Sequence, residues 1–278
     1  MANTLTGTPA AAAIYVQVRT RAARLAVRPC LAAVSVGAQP DDLAYLRSIA
    51  QAAAGCGVAV RPVPLPADCA PEALTDTLRA LSTDGAVHGV LLLRPLPEAL
   101  RAQEMLDTLD ARKDVDGMTT ASLGALVTGA AGFAPCTAEA CMELLRAHGI
   151  DPAGRRVTIV GRSLVIGRPA ALLLTRADAT VTLCHRKTPD LAARCRDADI
   201  LLAAAGAPGL ITTDFVRPGQ IVLDAGATAL PDGTLRGDVA PDAADIAVCT
   251  PVPGGIGSVT TALLLRHTVQ AAENLRHF

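Results

Sequence analysis

The sequence predicts an α/β fold: parallel strands with covering helices, divided between two domains. Three observations carry that prediction. Short apolar, β-compatible runs alternate with helix-length segments along the 278 residues, and strands separated by helices make a parallel sheet covered on both faces. Several of those runs end in Gly or Pro, as strands do where a ligand approaches their carboxyl ends. Third, Val157–Pro169 passes from an apolar strand through a glycine turn into a helix, and a second strand, 179–184, follows.

The elements follow in order. Thr8–Val27, rich in Ala and Arg, suits a helix. Cys30–Val36 is a strand ended by Gly37. Pro40, Asp41 and Asp42 open a helix with proline and acids in its first turn, and it stops near Gly55 and Gly57. Val58–Leu65 is a strand whose prolines place it near an edge. Pro71–Leu81 reads as a helix, Gly89–Leu93 as a strand and Glu98–Leu109 as a helix. Asp114-Val115-Asp116-Gly117 is a turn that closes the first unit. Thr137 caps a helix to about Ala147, and strands follow at 199–204 and 220–223. Thr250–Gly257 is a rigid loop rich in Gly and Pro, whose backbone can approach a ligand closely. A helix from about Ser258 to Leu275 closes the chain.

Composition narrows the function classes. Apolar residues are 51% and charged residues 18%, which fits a globular protein. Aromatic residues are 2%, with no Trp, so the core is aliphatic and no stacking surface is expected for single-stranded nucleic acid. The net charge is −1 without a basic stripe, which removes the electrostatic case for nucleic acid. No apolar run reaches membrane-spanning length and no signal-peptide pattern opens the chain, so no membrane association and a cytoplasmic location are expected. The eight cysteines contain no C-x-x-C pair and no His clusters with them at ligand spacing, so reduced thiols and no metal are expected.

The chemistry concentrates between Arg156 and Lys187. Gly161, Ser163 and Gly167 form a turn that brings backbone N–H groups and a helix N-terminus toward phosphates. The three-glycine fingerprint has glycine where Ser163 stands, so the alternative is a βαβ unit with an ordinary tight turn. The second strand ends on His185-Arg186-Lys187, where an acid usually holds the ribose. Cations there suit a ribose phosphate, so NADP is expected, with NAD possible. Arg162 and Arg186 are the clamp, with Lys187 in reserve, because the planar guanidinium pairs with phosphate oxygens in two places; the alternative is a solvated basic loop. Gly206 and Ala227, beyond the next two strands, complete the expected cofactor set.

Several segments together carry a family resemblance: Pro95-Leu96-Pro97, Asp114-Val115-Asp116-Gly117, Pro135-Cys136-Thr137, the Gly161-Arg162-Ser163 turn with Gly167 and Pro169, Gly237-Asp238-Val239, and Thr250–Gly257. In that order the chain resembles the methylenetetrahydrofolate dehydrogenase/cyclohydrolases over nearly its whole length. The resemblance implies two α/β domains with a cleft between them: a folate domain of residues 1–118 with 258–278, and a Rossmann-type NAD(P) domain of residues 119–257. It implies a homodimer and a tetrahydrofolate derivative as substrate. It implies that Tyr45 lies along the folate, that Asp116 anchors the pterin, and that Leu93, Pro253, Gly254 and Gly255 line the substrate.

The chain departs from the family pattern at two places that matter. The family's folate helix carries Tyr-x-x-x-Lys; here Tyr45 is followed by Ile49. Its Gln two residues before Pro-Leu-Pro is here Leu93, with Arg94 next to it. In the family that Lys and Gln serve the water-driven ring opening. Hydride transfer needs no proton transfer at the carbon, whereas ring opening does, and general acid–base assistance is worth on the order of 100- to 10,000-fold. The expectation is a methylenetetrahydrofolate dehydrogenase whose cyclohydrolase activity is absent or impaired. Two alternatives stay open: an NADP-dependent oxidoreductase for a non-folate imine or aminal, and a non-catalytic folate- or nucleotide-binding paralogue.

Overall fold

The structure, a computed structural model, describes residues 4–230 and 232–275. The chain forms two compact units: Ala13–Cys136 with the chain from Thr261 on, and the chain up to Ala12 with Thr137–Thr260. Both are α/β, as expected.

The first unit holds a parallel sheet of β1 (Cys30–Val36), β2 (Ala59–Leu65) and β3 (Gly89–Leu92), in the order β2-β1-β3. The central strand β1 is buried from Leu31 to Val34, as a strand covered on both faces must be. β2 is an edge strand, because Pro62 and Pro64 have no N–H to give a further neighbour. The helices are α1 (Thr8–Ala22, which continues from the other unit), α2 (Pro40–Ala54), α3 (Pro71–Thr83), α4 (Gln103–Leu106) and α5 (Thr120–Thr128). α2 starts where Pro40 presets the backbone and the Asp42 carboxylate accepts the Gln39 N–H at 2.9 Å. α3 buries Leu74, Leu78 and Leu81, a one-face stripe.

The structure corrects three sequence expectations here. α1 stops at Ala22 rather than Val27. The single helix expected over Glu98–Leu109 is a 3-10 turn at Glu98–Leu100 followed by α4, broken at extended Ala102. The Arg101 guanidinium turns back to the Leu96 carbonyl at 2.7 Å, and Leu100, Leu106 and Leu109 are buried without a continuous helix. α5 has no counterpart in the sequence expectation. Its signals are Thr119, whose hydroxyl accepts the Ser122 N–H at 3.2 Å, and Gly129 in the left-handed conformation at its end.

The second unit holds β4 (Arg156–Val160), β5 (Thr180–Cys184), β6 (Ile200–Ala203), β7 (Ile221–Asp224) and β10 (Val248–Cys249), all parallel, in the order β10-β7-β6-β4-β5. An antiparallel ribbon, β8 (Thr228–Ala229) with β9 (Leu235–Arg236), leaves the end of β7. The helices are α6 (Cys136–Ala147), α7 (Gly167–Arg176), α8 (Leu191–Asp197), α9 (Pro241–Ala244) and the start of α10 (Ile256–Asn274). The ribbon, β10, α8 and α9 are additions to the sequence reading. They run two to seven residues, too short for a periodic signal.

The strand order locates the functional edge. From β4 the chain adds β5 on one side, then crosses to add β6, β7 and β10 on the other. The reversal lies between β4 and β6, and open α/β sheets bind ligands beyond the carboxyl ends at such a reversal. In the smaller sheet the same reversal lies between β1 and β3.

Candidate active site

The turn after β4 is built so that only glycine fits. Gly161 has φ +126°, and a Cβ there would stand 2.0 Å from the Ala204 carbonyl oxygen. A Cβ on Gly167, at the start of α7, would stand 2.0 Å from the Gly161 carbonyl oxygen. The turn is thereby pressed between the end of β6 and the N-terminus of α7. Ser163 does not leave a gap in place of the missing glycine: its hydroxyl accepts the Ile166 N–H at 3.1 Å and its carbonyl accepts the Arg168 N–H at 3.1 Å.

The register pairs Val160 with Cys184, so Arg162 and Arg186 leave neighbouring strand ends at the same level. Both are exposed or partly so, as is Lys187. None of the three joins a salt bridge among the described residues. His185 braces the strand end. Its Nδ1 accepts the Lys187 N–H at 3.1 Å, and its own backbone N–H is donated to the Thr188 hydroxyl at 2.9 Å. A glycine-only cradle beside uncommitted cations fits a phosphorylated dinucleotide.

Gly206 is exposed, with φ +63°, in the loop after β6, and Ala227 is exposed after β7. Beneath them lie two buried carboxylates that the sequence reading did not single out as functional. Asp224 accepts the N–H groups of Gly226, Asp238 and Val239 at 2.9–3.0 Å. Asp238 accepts those of Ala205, Gly206 and Ala207 at 2.6–3.0 Å. Gly-Asp-Val at 237–239 was the available signal. In the 250–257 loop, Gly254 is exposed while Gly255 is buried, and a Cβ on Gly255 would meet the Pro251 carbonyl oxygen at 2.5 Å. Pro253 is exposed.

In the other unit the 114–117 turn gives its two carboxylates different roles. Asp114 is buried and accepts the Thr119 N–H and the Ser122 hydroxyl, both at 2.7 Å, so it holds the chain. Asp116 carries the unusual titration. Burial, then the neighbouring Asp114 charge, pushes its carboxyl up to about 6, against the Cys136 hydrogen bond and the positive charges of Arg94 and His267. Gly117, φ +68°, closes the turn, where a Cβ would meet the Ala134–Pro135 backbone within 2.7 Å.

Tyr45, Asp116 and Cys136 are neighbours. Tyr45 is 38% exposed, yet burial around its phenol, with the Asp116 and Cys136 charges, raises its pKa well above the ordinary phenol value against a Thr261 hydrogen bond. Cys136 is buried, and its Sγ approaches the Val115 carbonyl at 3.3 Å and His267 Nδ1 at 3.6 Å. His267, which the sequence reading passed over, sets Nδ1 2.8 Å from the same carbonyl and stacks on Phe133 at 4.9 Å. The two departures from the family pattern are closed off: Ile49 is 0% exposed and Leu93 7%, its N–H donated to the Val34 carbonyl at 2.9 Å. Arg94, next along, is exposed.

Comparison with known proteins places this arrangement. Residues 5–116 match the family model described as tetrahydrofolate dehydrogenase/cyclohydrolase, catalytic domain, and residues 135–276 match its NAD(P)-binding domain. The chain belongs to the tetrahydrofolate dehydrogenase/cyclohydrolase family. By that membership it is an NAD(P)-dependent oxidoreductase of the methylenetetrahydrofolate dehydrogenase kind. It is 49% identical over 250 residues to bifunctional protein FolD 1 of Rhodococcus jostii, covering 89% of this chain and 84% of that one. Among solved structures it is similar to the bifunctional FolD of Campylobacter jejuni, with a TM-score of 0.93, 36% identity and 98% and 99% of the two chains covered. The FolD of Trypanosoma brucei, solved with NADP and an inhibitor, gives a TM-score of 0.93 at 35% identity over 100% of this chain and 99% of that one.

Among the described residues no group of three or more His, Cys, Asp or Glu is placed to hold a metal. No helix of the described residues is long and apolar enough to cross a membrane.

Proposed function

We propose that this family member oxidises 5,10-methylenetetrahydrofolate to 5,10-methenyltetrahydrofolate with NADP and leaves the methenyl product unhydrolysed, or nearly so. The observation that carries the reading is that positions 49 and 93 hold buried apolar side chains, Ile49 and Leu93, where the family pattern has an ammonium and an amide. Neither side chain gives or takes a proton.

The two halves of the family reaction ask different things of a protein. Oxidation needs the two carbons held in contact and water kept away. NADP held there would supply the hydride acceptor. In this reading Asp116, ionised, accepts hydrogen bonds from the pterin amines, worth roughly 1.5–3 kcal/mol for a charged acceptor, and Tyr45 packs along the ring. Pro253, Gly254 and Gly255 border the substrate, to which Leu93 offers little surface. Gly161, Ser163 and Gly167 seat the phosphates, Arg162, Arg186 and Lys187 favour a 2′-phosphate, and Gly206 and Ala227 border the cofactor. Hydrolysis would add proton transfers for which positions 49 and 93 supply nothing. NADP in the Trypanosoma brucei relative supports the choice of cofactor. A homodimer in the cytoplasm belongs to the same reading, and light scattering at micromolar concentration tests the dimer.

Purified protein mixed with methylenetetrahydrofolate and either NADP or NAD tests the reading. Reduced cofactor and methenyl product are expected, faster with NADP; no reduced cofactor from either would overturn it. One observation favours a second reading. Arg94 places an exposed cation near Asp116, which suits an anionic imine or aminal other than a folate. Turnover of such a donor without folate binding would favour it. Binding of folate and nucleotide with no turnover would point to a non-catalytic protein.

A further inference from the structure

We propose that Asp238 is a positioning residue for the nicotinamide-ribose end of the cofactor, acting through the 205–207 loop; this rests on the NADP reading above. Three consecutive backbone N–H groups form a ready anion site when left open. Here they are not open. Asp238, 0% exposed, takes the Ala205 and Gly206 N–H groups on Oδ2 at 2.6 and 3.0 Å and the Ala207 N–H on Oδ1 at 2.7 Å. A carboxylate under the loop both consumes its donors and repels a phosphate above it.

The loop is nevertheless at the functional edge. It follows β6, on the far side of the topological reversal from β5, and its first residue adjoins Ala204, whose carbonyl is pressed against Gly161. A dinucleotide lies across such a reversal. The cations Arg162, Arg186 and Lys187 claim the phosphorylated ribose on the β4–β5 side. The part that crosses to β6 is then the nicotinamide-ribose end, which bears no phosphate beyond the bridging diphosphate, and a loop with its donors already spent is suited to it.

Asp238 is itself held. Its own N–H is donated to Asp224 Oδ1 at 3.0 Å, and the next N–H, from Val239, to Asp224 Oδ2 at 2.9 Å. Gly237 has no room for a side chain, since a Cβ would stand 2.0 Å from Asp224 Oδ2. The end of β7 thus fixes the 237–239 segment, and that segment fixes the loop after β6. Buried carboxylates bound by backbone amides alone are satisfied without a cation.

The test compares a whole cofactor with half of one. Asp238→Asn cannot accept all three amides with the geometry of a carboxylate. Calorimetry with NADP and with adenosine 2′,5′-bisphosphate, on wild type and variant, separates the two halves. The expected result is bisphosphate affinity within about twofold of wild type, NADP affinity reduced about tenfold or more, and faster amide exchange at 205–207. Equal losses for both ligands, or no loss for either, would overturn the proposal. Gly206→Ala is the second variant. It strains the same loop at φ +63°, where a Cβ meets nothing within 4 Å, and leaves the carboxylate in place. It should show the same split, and unchanged NADP affinity in it would overturn the proposal even where Asp238→Asn fails to fold. Wild type that binds neither ligand would instead sink the NADP reading.

Discussion

Tyr45 and Ile49 stand one turn apart on α2, and only one of them meets solvent: Tyr45 is 38% exposed, Ile49 not at all. Residues four apart share a helix face, so a lysine at 49 would rise on the side of the tyrosine, where the buried isoleucine brings no ammonium. Restoring the family residues with Ile49→Lys and Leu93→Gln should bring measurable methenyl hydrolysis. It should also lower stability by roughly 3–5 kcal/mol, the scale for an uncompensated buried charge. A double variant that melts with wild type would contradict the enclosure described for position 49.

The Gly161–Ala204 contact predicts a selective defect. Gly161→Ala brings a methyl to 2.0 Å from a backbone carbonyl that cannot swing away. NADP affinity should fall at least about tenfold, with folate affinity retained. Calorimetry with each ligand checks this, and unchanged NADP affinity would contradict the assignment of the turn to the cofactor.

Arg186 predicts a change in cofactor preference rather than in rate. A guanidinium on a phosphate contributes roughly 1.5–3 kcal/mol. Arg186→Ala should therefore cut kcat/KM for NADP by about tenfold or more and leave that for NAD nearly unchanged. Equal losses with both nucleotides would assign Arg186 to the fold instead of the 2′-phosphate.

Asp116 predicts two opposite pH trends. Its folded pKa is raised to about 6 from an ordinary 3.8, so the folded state favours the protonated form. The stability this confers is full below the ordinary value and is lost as pH rises through about 6. Folate binding needs the charge, so kcat/KM for the folate should fall as pH drops through about 6 and be flat above it. Asp116→Asn should remove both inflections and weaken folate binding. An inflection that persists in the variant would assign the titration to another group.

What is legible in the sequence follows from period and length. β1 is legible to the residue, because seven β-compatible residues between Pro29 and Gly37 allow little else. The edge position of β2 is legible from Pro62 and Pro64. The broken segment at 98–109 is not, since its leucines keep a helical pattern while Arg101 captures a carbonyl that no periodicity reveals. In the nucleotide half, Gly161 and Gly167 are legible as a turn. The crowding at Gly161 is not, because the Ala204 carbonyl comes from an element far along the chain. The contacts of Asp238, whose motif is legible, and of His267 escape notice for the same reason. Their partners lie 31–33 and 152 residues away, and a lone acid or imidazole carries no spacing signal.

The measurement that bears most directly on the central claim starts from methenyltetrahydrofolate. Its hydrolysis is followed with and without the protein, beside the dehydrogenase rate from methylenetetrahydrofolate in the same preparation. The account predicts reduced cofactor matched by accumulating methenyl product, with hydrolysis no faster than in buffer. Formation of 10-formyltetrahydrofolate at a rate comparable to the dehydrogenase step would contradict it.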